Sequence, residues 1–550
     1  MKPLPSRPHI DQLKKQAKEL LADYKRGDAV AIGRFRQSLP AATGREDTAI
    51  AQLHLRLRDA HSCIAREYGF ASWEDLRSFV EAIRLSDTAS DPKALAQAFA
   101  RLAYAGDIAG GMNRARPAAA ARLLSDHPEL AAQNPWIACA VGDVSVVRHQ
   151  IETAPSWVNE PDGPLALPPL VATTHSGLLR LAEYKARLHE MVDLLLAAGA
   201  DPNQSVGNRW PPASVAAPST DHKLSALYGA AGANHDVELT RRLLAAGADP
   251  NDNESLYHSL EVPACTRALL DAGAIVTGTN ALYRALDLDD LDTFRLLLSH
   301  ARGASELKEG RILLWAIRRR RSPAHIEALL AAGVDPAIKT RDGVSAYAQA
   351  LRYGLPEVAE VLQRAGAKEN LTDEDLFVAA CARGDIDGAR HIQSRRSDLP
   401  AALSESQLRL LPELAAAGCA APVRVMVELG WPIAVRGGDW GASALNHAVF
   451  RGDAALTEYL LESGASWTEE HGFGDNACGT LSWASLNQPA ANGDWVACAA
   501  ALVAHGMPTA ERDPSDPTCV LIAGKRKQFS DDVTAFLLGE DIAPPHEQRQ

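Results

Sequence analysis

The chain has 550 residues, 46% of them apolar and 23% charged, a globular composition on a length beyond what one compact core supports. No stretch is long and apolar enough to span a bilayer, which excludes a membrane-spanning class. The net charge of −13 disfavours nucleic acid and anionic lipid as partners of the whole chain, because acidic surfaces repel phosphates.

Residues 1–88 predict a small helical bundle. The opening MKPLPSRPHIDQLKKQAKELL lacks the apolar core and cleavage site of a secretion signal, so the cytoplasm is the expected compartment. Ile10, Leu13, Ala17, Leu20, Leu21 and Tyr24 recur at helical spacing with lysines on the other face, predicting an amphipathic helix. A second helix holds Ile32 and Phe35 until Pro40 breaks it, and a third ends at Gly69. Ser72 and Asp75 in SWED form a capping box for a fourth. Residues 1–84 hold 15 Lys and Arg against 11 Asp and Glu, so this segment is locally basic. Its helix, turn and helix over Ile64 to Val80 could read DNA, but Glu74, Asp75 and Glu81 make the second helix too acidic for a groove. A helical cap covering the first repeat is the better expectation.

Residues 89–508 carry a returning phrase. Leu194 to Asn203 reads LLLAAGADPN and Leu243 to Asn251 reads LLAAGADPN, with weaker copies ending at Ala274, Pro336, Ala367 and Ala465. The phrase glycines are Gly199, Gly247, Gly273, Gly333, Gly366, Gly430, Gly464 and Gly506, and the step from Gly333 to Gly366 is 33 residues. A unit of that length cannot bury its own apolar face, so neighbours must stack into an array. In the clearest unit, Ser443 to Trp467, Gly452 ends the first short helix; in the unit from Ser225, Asn234 is expected to take that left-handed role. Two interruptions break the period, SVGNRWPPASVAAPSTDHK at 205–223, read as a long loop, and the surplus near 466–495. Residues 509–550 lose the pattern and are expected to form a C-terminal cap and a polar tail after Pro545.

The phrase GADPN after two short helices, with Ser-Ala-Leu before an alanine-rich helix, resembles the ankyrin repeat, and Ser345 and Tyr347 fall in the same frame. The resemblance implies L-shaped units of two antiparallel helices and a projecting hairpin, stacked as an all-α solenoid of divergent ankyrin-like helix-turn-helix repeats behind the N-terminal bundle. No unit carries the complete Thr-Pro-Leu-His of that family. LKKQAKELL and AREYGFASWEDLRSFVEA also look like the leader of bacterial ankyrin proteins, which implies a bacterial source.

Eight cysteines show no CxxC pair and no zinc spacing; stretches such as IACAV and FVAACA place them as small core residues. No cofactor and no metal are expected. The segment 440–495 concentrates candidate binding groups: Trp440, Asn446, His447, Arg451, His471, Asp475, Asn476 and Trp483. Tryptophans beside amides and charges suit a recognition hot spot, while a buried structural network is the competing account. His471 with Asp475 or Glu470 could act as base and orienter, but no nucleophile motif adjoins them. Arg318 to Arg321 end a helix, where cations complement the dipole or bind an acidic peptide or phosphate. The expected function is non-enzymatic: an unidentified protein partner held on the concave face and projecting loops. A small-molecule or catalytic pocket at 440–495 is the first alternative, and a DNA-tethered regulator the second.

Overall fold

The computed structural model describes residues 2–5, 8–53, 55–85, 92–367, 369–516 and 519–539. The chain forms two compact units, Met1–Ala304 and Ser305–Gln550. Both are arrays of paired short helices, so the all-α repeat architecture expected from the phrase is the observed one.

The first unit opens with the expected bundle. The helix Ile10–Lys25 buries Leu13, Ala17, Leu20, Leu21 and Tyr24 and packs on Leu57–Glu67. Tyr24 donates its hydroxyl to the carbonyls of Ile50 and Leu53, both at 2.6 Å. Glu67 receives both Nε and Nη2 of Arg34, at 2.7 and 2.8 Å, a bidentate pair that holds Ala29–Ser38 to the bundle. Ser72 accepts the Asp75 amide at 3.1 Å and starts Trp73–Leu85. That helix packs on Pro92–Ala103 and Pro117–Asp126, and Glu74 pairs with Arg116 at 3.5 Å. The segment considered as a DNA reader is therefore engaged with the helices C-terminal to it.

Helix pairs then succeed one another: Pro135–Val141 with Val144–Thr153, Pro169–Thr174 with Ala182–Ala197, Ser255–Ser259 with Pro263–Asp271, and Ala281–Leu288 with Leu291–His300. In the second unit, pairs include Arg311–Arg318 with Pro323–Ala331, Ala346–Arg352 with Pro356–Arg364, and Ala444–Arg451 with Ala454–Glu462. All eight phrase glycines have φ between +88° and +98°, a region in which L side chains are strained, which explains why this position keeps its residue.

The rest of the phrase also has a physical cause. Asn159 accepts the Asp201 amide, Asn203 the Asp249 amide and Asn251 the Ile275 amide, each at 2.8 Å. Each asparagine thus satisfies the backbone of the next unit, a ladder of side-chain bonds along the projecting loops. First helices are capped by serine: Ser225 accepts Tyr228, Ser345 accepts Ala348 and Ser443 accepts Asn446 through their amides. Second helices are capped by aspartate at Asp143, Asp236, Asp385, Asp453 and Asp494.

Two expectations are corrected. Asn234 is not left-handed: a π turn over Gly229–Ala233 inserts an extra residue, so His235 at φ +53° takes that role, while Asn234 donates to the Thr174 and Ser176 carbonyls. Residues 205–223 are not wholly loop. Ser205–Gly207 pairs antiparallel with Lys223–Ser225, and Arg209, 3% exposed, donates from its amide and Nη1 to the Asp107 and Ile108 carbonyls at 2.8 and 2.9 Å. Toward the C-terminus, where a cap is expected, Glu511–Arg512, Val520–Ile522 and Lys525–Lys527 form a three-stranded antiparallel sheet, followed by the helix Asp531–Leu537, which packs on Trp495–Ala504. The polar tail after Pro545 lies outside the described residues.

Six of the eight cysteines are buried. Burial pushes Cys63 and Cys478 to about 11 and Cys381 and Cys498 to about 12, so these thiols stay protonated at neutral pH and pack as apolar groups. No helix among the described residues is long and apolar enough to cross a membrane.

Candidate functional site

The site is built on the hairpin that precedes Ala444–Arg451. Gly437 and Ala442 exchange backbone bonds, both at 2.9 Å, and Arg436 Nε closes the turn on the Gly441 carbonyl at 2.8 Å. Gly438 sits at φ +75°, where an added Cβ would lie 2.6 Å from His447 Nε2. Only glycine lets that ring approach, and His447 uses the space to contact the Gly437 carbonyl at 3.2 Å. Asn446 is fully buried. Its Nδ2 donates to Ser443 Oγ at 3.2 Å and the Glu469 carbonyl at 3.0 Å, and its Oδ1 accepts Thr480 Oγ1 at 2.7 Å.

The loop 470–476 lies against this hairpin. Gly472 donates its amide to the Trp440 carbonyl at 2.9 Å, and His471 donates its amide to the Asp475 carbonyl at 2.8 Å. His471 Nδ1 accepts the Phe473 amide at 3.3 Å, which leaves the ring proton on Nε2. Asn476 caps Ala477–Asn487 by accepting the Cys478 amide at 3.0 Å. Asp475 accepts the Asn476 amide and pairs with Lys527 of the C-terminal sheet. Burial alone would raise the Asp475 carboxyl, but the Lys527 ammonium and the Asn476 amide hold it below its ordinary range.

The rings form a continuous stripe. Trp440 meets His447 edge-on at 4.8 Å, His471 edge-on at 5.0 Å and Phe450 at 5.8 Å. Phe450 stacks on Trp483 at 5.3 Å with planes 10° apart, and Phe473 meets His471 at 6.0 Å. The two ends face solvent, Phe473 at 81% and Trp483 at 46% exposure. Of the eight sequence-proposed residues, Trp440, His447, His471 and Trp483 are joined through this stripe. Asn446 ties Ser443, Glu469 and Thr480 together and Asn476 caps a helix, while Arg451 points back to the preceding unit, donating to the Ala416 carbonyl at 3.2 Å. The Asp475 carboxylate is directed to Lys527 rather than to the His471 ring.

Sequence reasoning missed Phe450 and Phe473. Phe450 lies on the same short helix as His447, and a large ring between two loop glycines, Gly472 and Gly474, is itself a sign of an exposed contact group. The arginine run is not the solvated helix terminus that was one of its two expected roles. Arg318 pairs with Glu413 and Asp439, Arg319 pairs with Asp439, and Arg320 reaches the Tyr353 carbonyl.

Burial lowers the pKa of both His447 and His471. The unfolded imidazoles take up protons near 6.5, whereas the folded ones do so only at lower pH. The stability these neutral rings contribute is therefore present above about 6.5 and drains as pH falls toward the depressed native values. His447→Gln is expected to flatten the decline in urea midpoint between pH 7 and pH 5; equal slopes in variant and parent would refute the buried neutral ring.

No protein-family model matches the chain, and no curated protein matches it. Among solved structures, the chain is similar to the human ASB11 ankyrin repeat domain at 20% identity, over 44% of this chain and 97% of that one, with a TM-score of 0.25. It is also similar to the ankyrin repeat domain of Bcl-3, a unique member of the IkappaB protein family, at 18% identity, over 48% of this chain and 99% of that one, with a TM-score of 0.20.

Proposed function

We propose that this chain is a non-enzymatic scaffold that holds a protein partner on the aromatic stripe of its second unit and on the loops beside it. The observation that carries this reading is the ring-to-ring run from Phe473 through His471, Trp440 and Phe450 to Trp483, whose two ends are exposed. Aromatic groups held by packing lose little entropy on contact, so they suit an anchor for a partner's apolar side chains. Residues 1–88 and 509–550 act as caps on the array, a role supported by the packing of Trp73–Leu85 and Asp531–Leu537 on neighbouring repeat helices. The cytoplasm of a bacterium is the proposed setting; the eight free thiols suit a reducing compartment.

Affinity capture with the tagged full chain tests the surface. Joint alanine substitution of Phe473 and Trp483 is expected to weaken retention of a reproducible protein partner by roughly 30-fold or more, the scale of a hot-spot loss. Undiminished capture by a variant with the parent melting curve would remove the stripe as the binding surface.

A further inference from the structure

One residue before Trp440, the arginine run ends in a clamp around a carboxylate. Arg318 Nη2 lies 2.9 Å from Asp439 Oδ1, and Arg319 Nη2 lies 2.8 Å from Asp439 Oδ2, so each oxygen is held by its own guanidinium. The clamp is rigid on the arginine side. Arg318 Nε is anchored on Glu413 at 2.9 Å, the same oxygen receives the Tyr353 hydroxyl at 2.9 Å, and the Trp315 ring lies 4.2 Å from the Arg319 guanidinium and 5.5 Å from that of Arg318. The carboxylate side is different in kind. Asp439 stands on a hairpin turn beside Gly438, and its side chain is 47% exposed.

We propose that Arg318 and Arg319 form the seat for an acidic side chain of the partner, a seat that Asp439 fills from within while the protein is free. This rests on the recognition reading above and adds the chemistry of the partner: a segment with a carboxylate placed next to an apolar or aromatic residue that lies on Trp440. Two planar guanidiniums addressing the two oxygens of one carboxylate match the flat, two-oxygen edge of a carboxylic acid. The exchange is close to balanced, because the incoming acid makes the pairs that Asp439 gives up. Asp439, already half in water, loses little on release. Asp439 thus sets the affinity threshold, and removing its charge frees the seat.

The test is fluorescence polarisation on the full chain with a labelled peptide, Gly-Glu-Glu-Trp-Glu-Glu-Gly, and its glutamine counterpart. Asp439→Asn is expected to bind the acidic peptide about tenfold more tightly than the parent, the scale of one charge-assisted contact. Adding Arg319→Gln to that variant should return the affinity to the parent level, and the glutamine peptide should gain nothing. An unchanged affinity in Asp439→Asn, or a gain that survives Arg319→Gln, overturns the seat. Melting curves accompany each variant, and Asp439→Ser takes over if Asp439→Asn does not fold. Partner capture abolished by the Phe473 and Trp483 substitutions, together with peptide affinity indifferent to Asp439, would remove the seat alone. Capture indifferent to those substitutions would remove the aromatic surface instead.

Discussion

Alanine at Asn446 is expected to destabilise the second unit by about 2–4 kcal/mol, seen as a lower urea midpoint for tryptophan fluorescence. The side chain is fully buried and joins three segments: Ser443 at the helix start, the Glu469 carbonyl of the following loop, and Thr480 on Ala477–Asn487. Truncation leaves the Thr480 hydroxyl and the Glu469 carbonyl without this partner, and each such loss costs about 1–3 kcal/mol. Asn446→Asp should cost at least as much, since a carboxylate cannot donate to the Glu469 carbonyl. A midpoint unchanged by alanine, paired with lost partner binding, would make Asn446 a contact residue and sink the structural assignment.

Gly452→Ala is the second large effect, also expected at about 2–4 kcal/mol. Gly452 ends Ala444–Arg451 at φ +67°, and an added Cβ would meet Gly493 Cα at 2.5 Å and the Asp494 nitrogen at 2.8 Å. Both obstacles are backbone, and the Asp494 amide already binds the Gly452 carbonyl at 2.9 Å, so neither can retreat without opening the joint between units. Gly464→Ala supplies the control. Its φ is +97° but its Cβ would meet nothing within 4 Å, so only the conformational strain of about 1–2 kcal/mol remains. Equal losses at the two positions would show that the close approach at Gly452 contributes nothing.

Much of the repeat was legible because its signals act over short distances. The glycine of each phrase marks a left-handed residue, and the serine and aspartate at helix starts bond amides three residues on. The asparagine of GADPN was not legible in that way, since it bonds the backbone of the next unit across 46 residues from Asn203 and 24 from Asn251. Asn234 misled because a π turn shifts the break by one residue, and nothing in a glycine-alanine stretch announces that extra turn.

The candidate site was legible as a concentration of residue types and not as an arrangement. Trp440, His471 and Trp483 were visible as large or titratable groups in an irregular segment. Their partners were not, since Phe450 faces Trp483 only because two successive first helices lie side by side.

Sequence alone determined the paired helices, their caps, the ends of the phrases and the stacking that these require, because each rests on backbone preferences within one repeat or between adjacent ones. Tertiary structure alone decided that Arg318 meets a glutamate 95 residues away and that Lys527 closes on Asp475 across 52. Those encounters depend on how each repeat leans on its neighbour, and small rotations accumulate along a stack without leaving any local mark in the residues that finally touch.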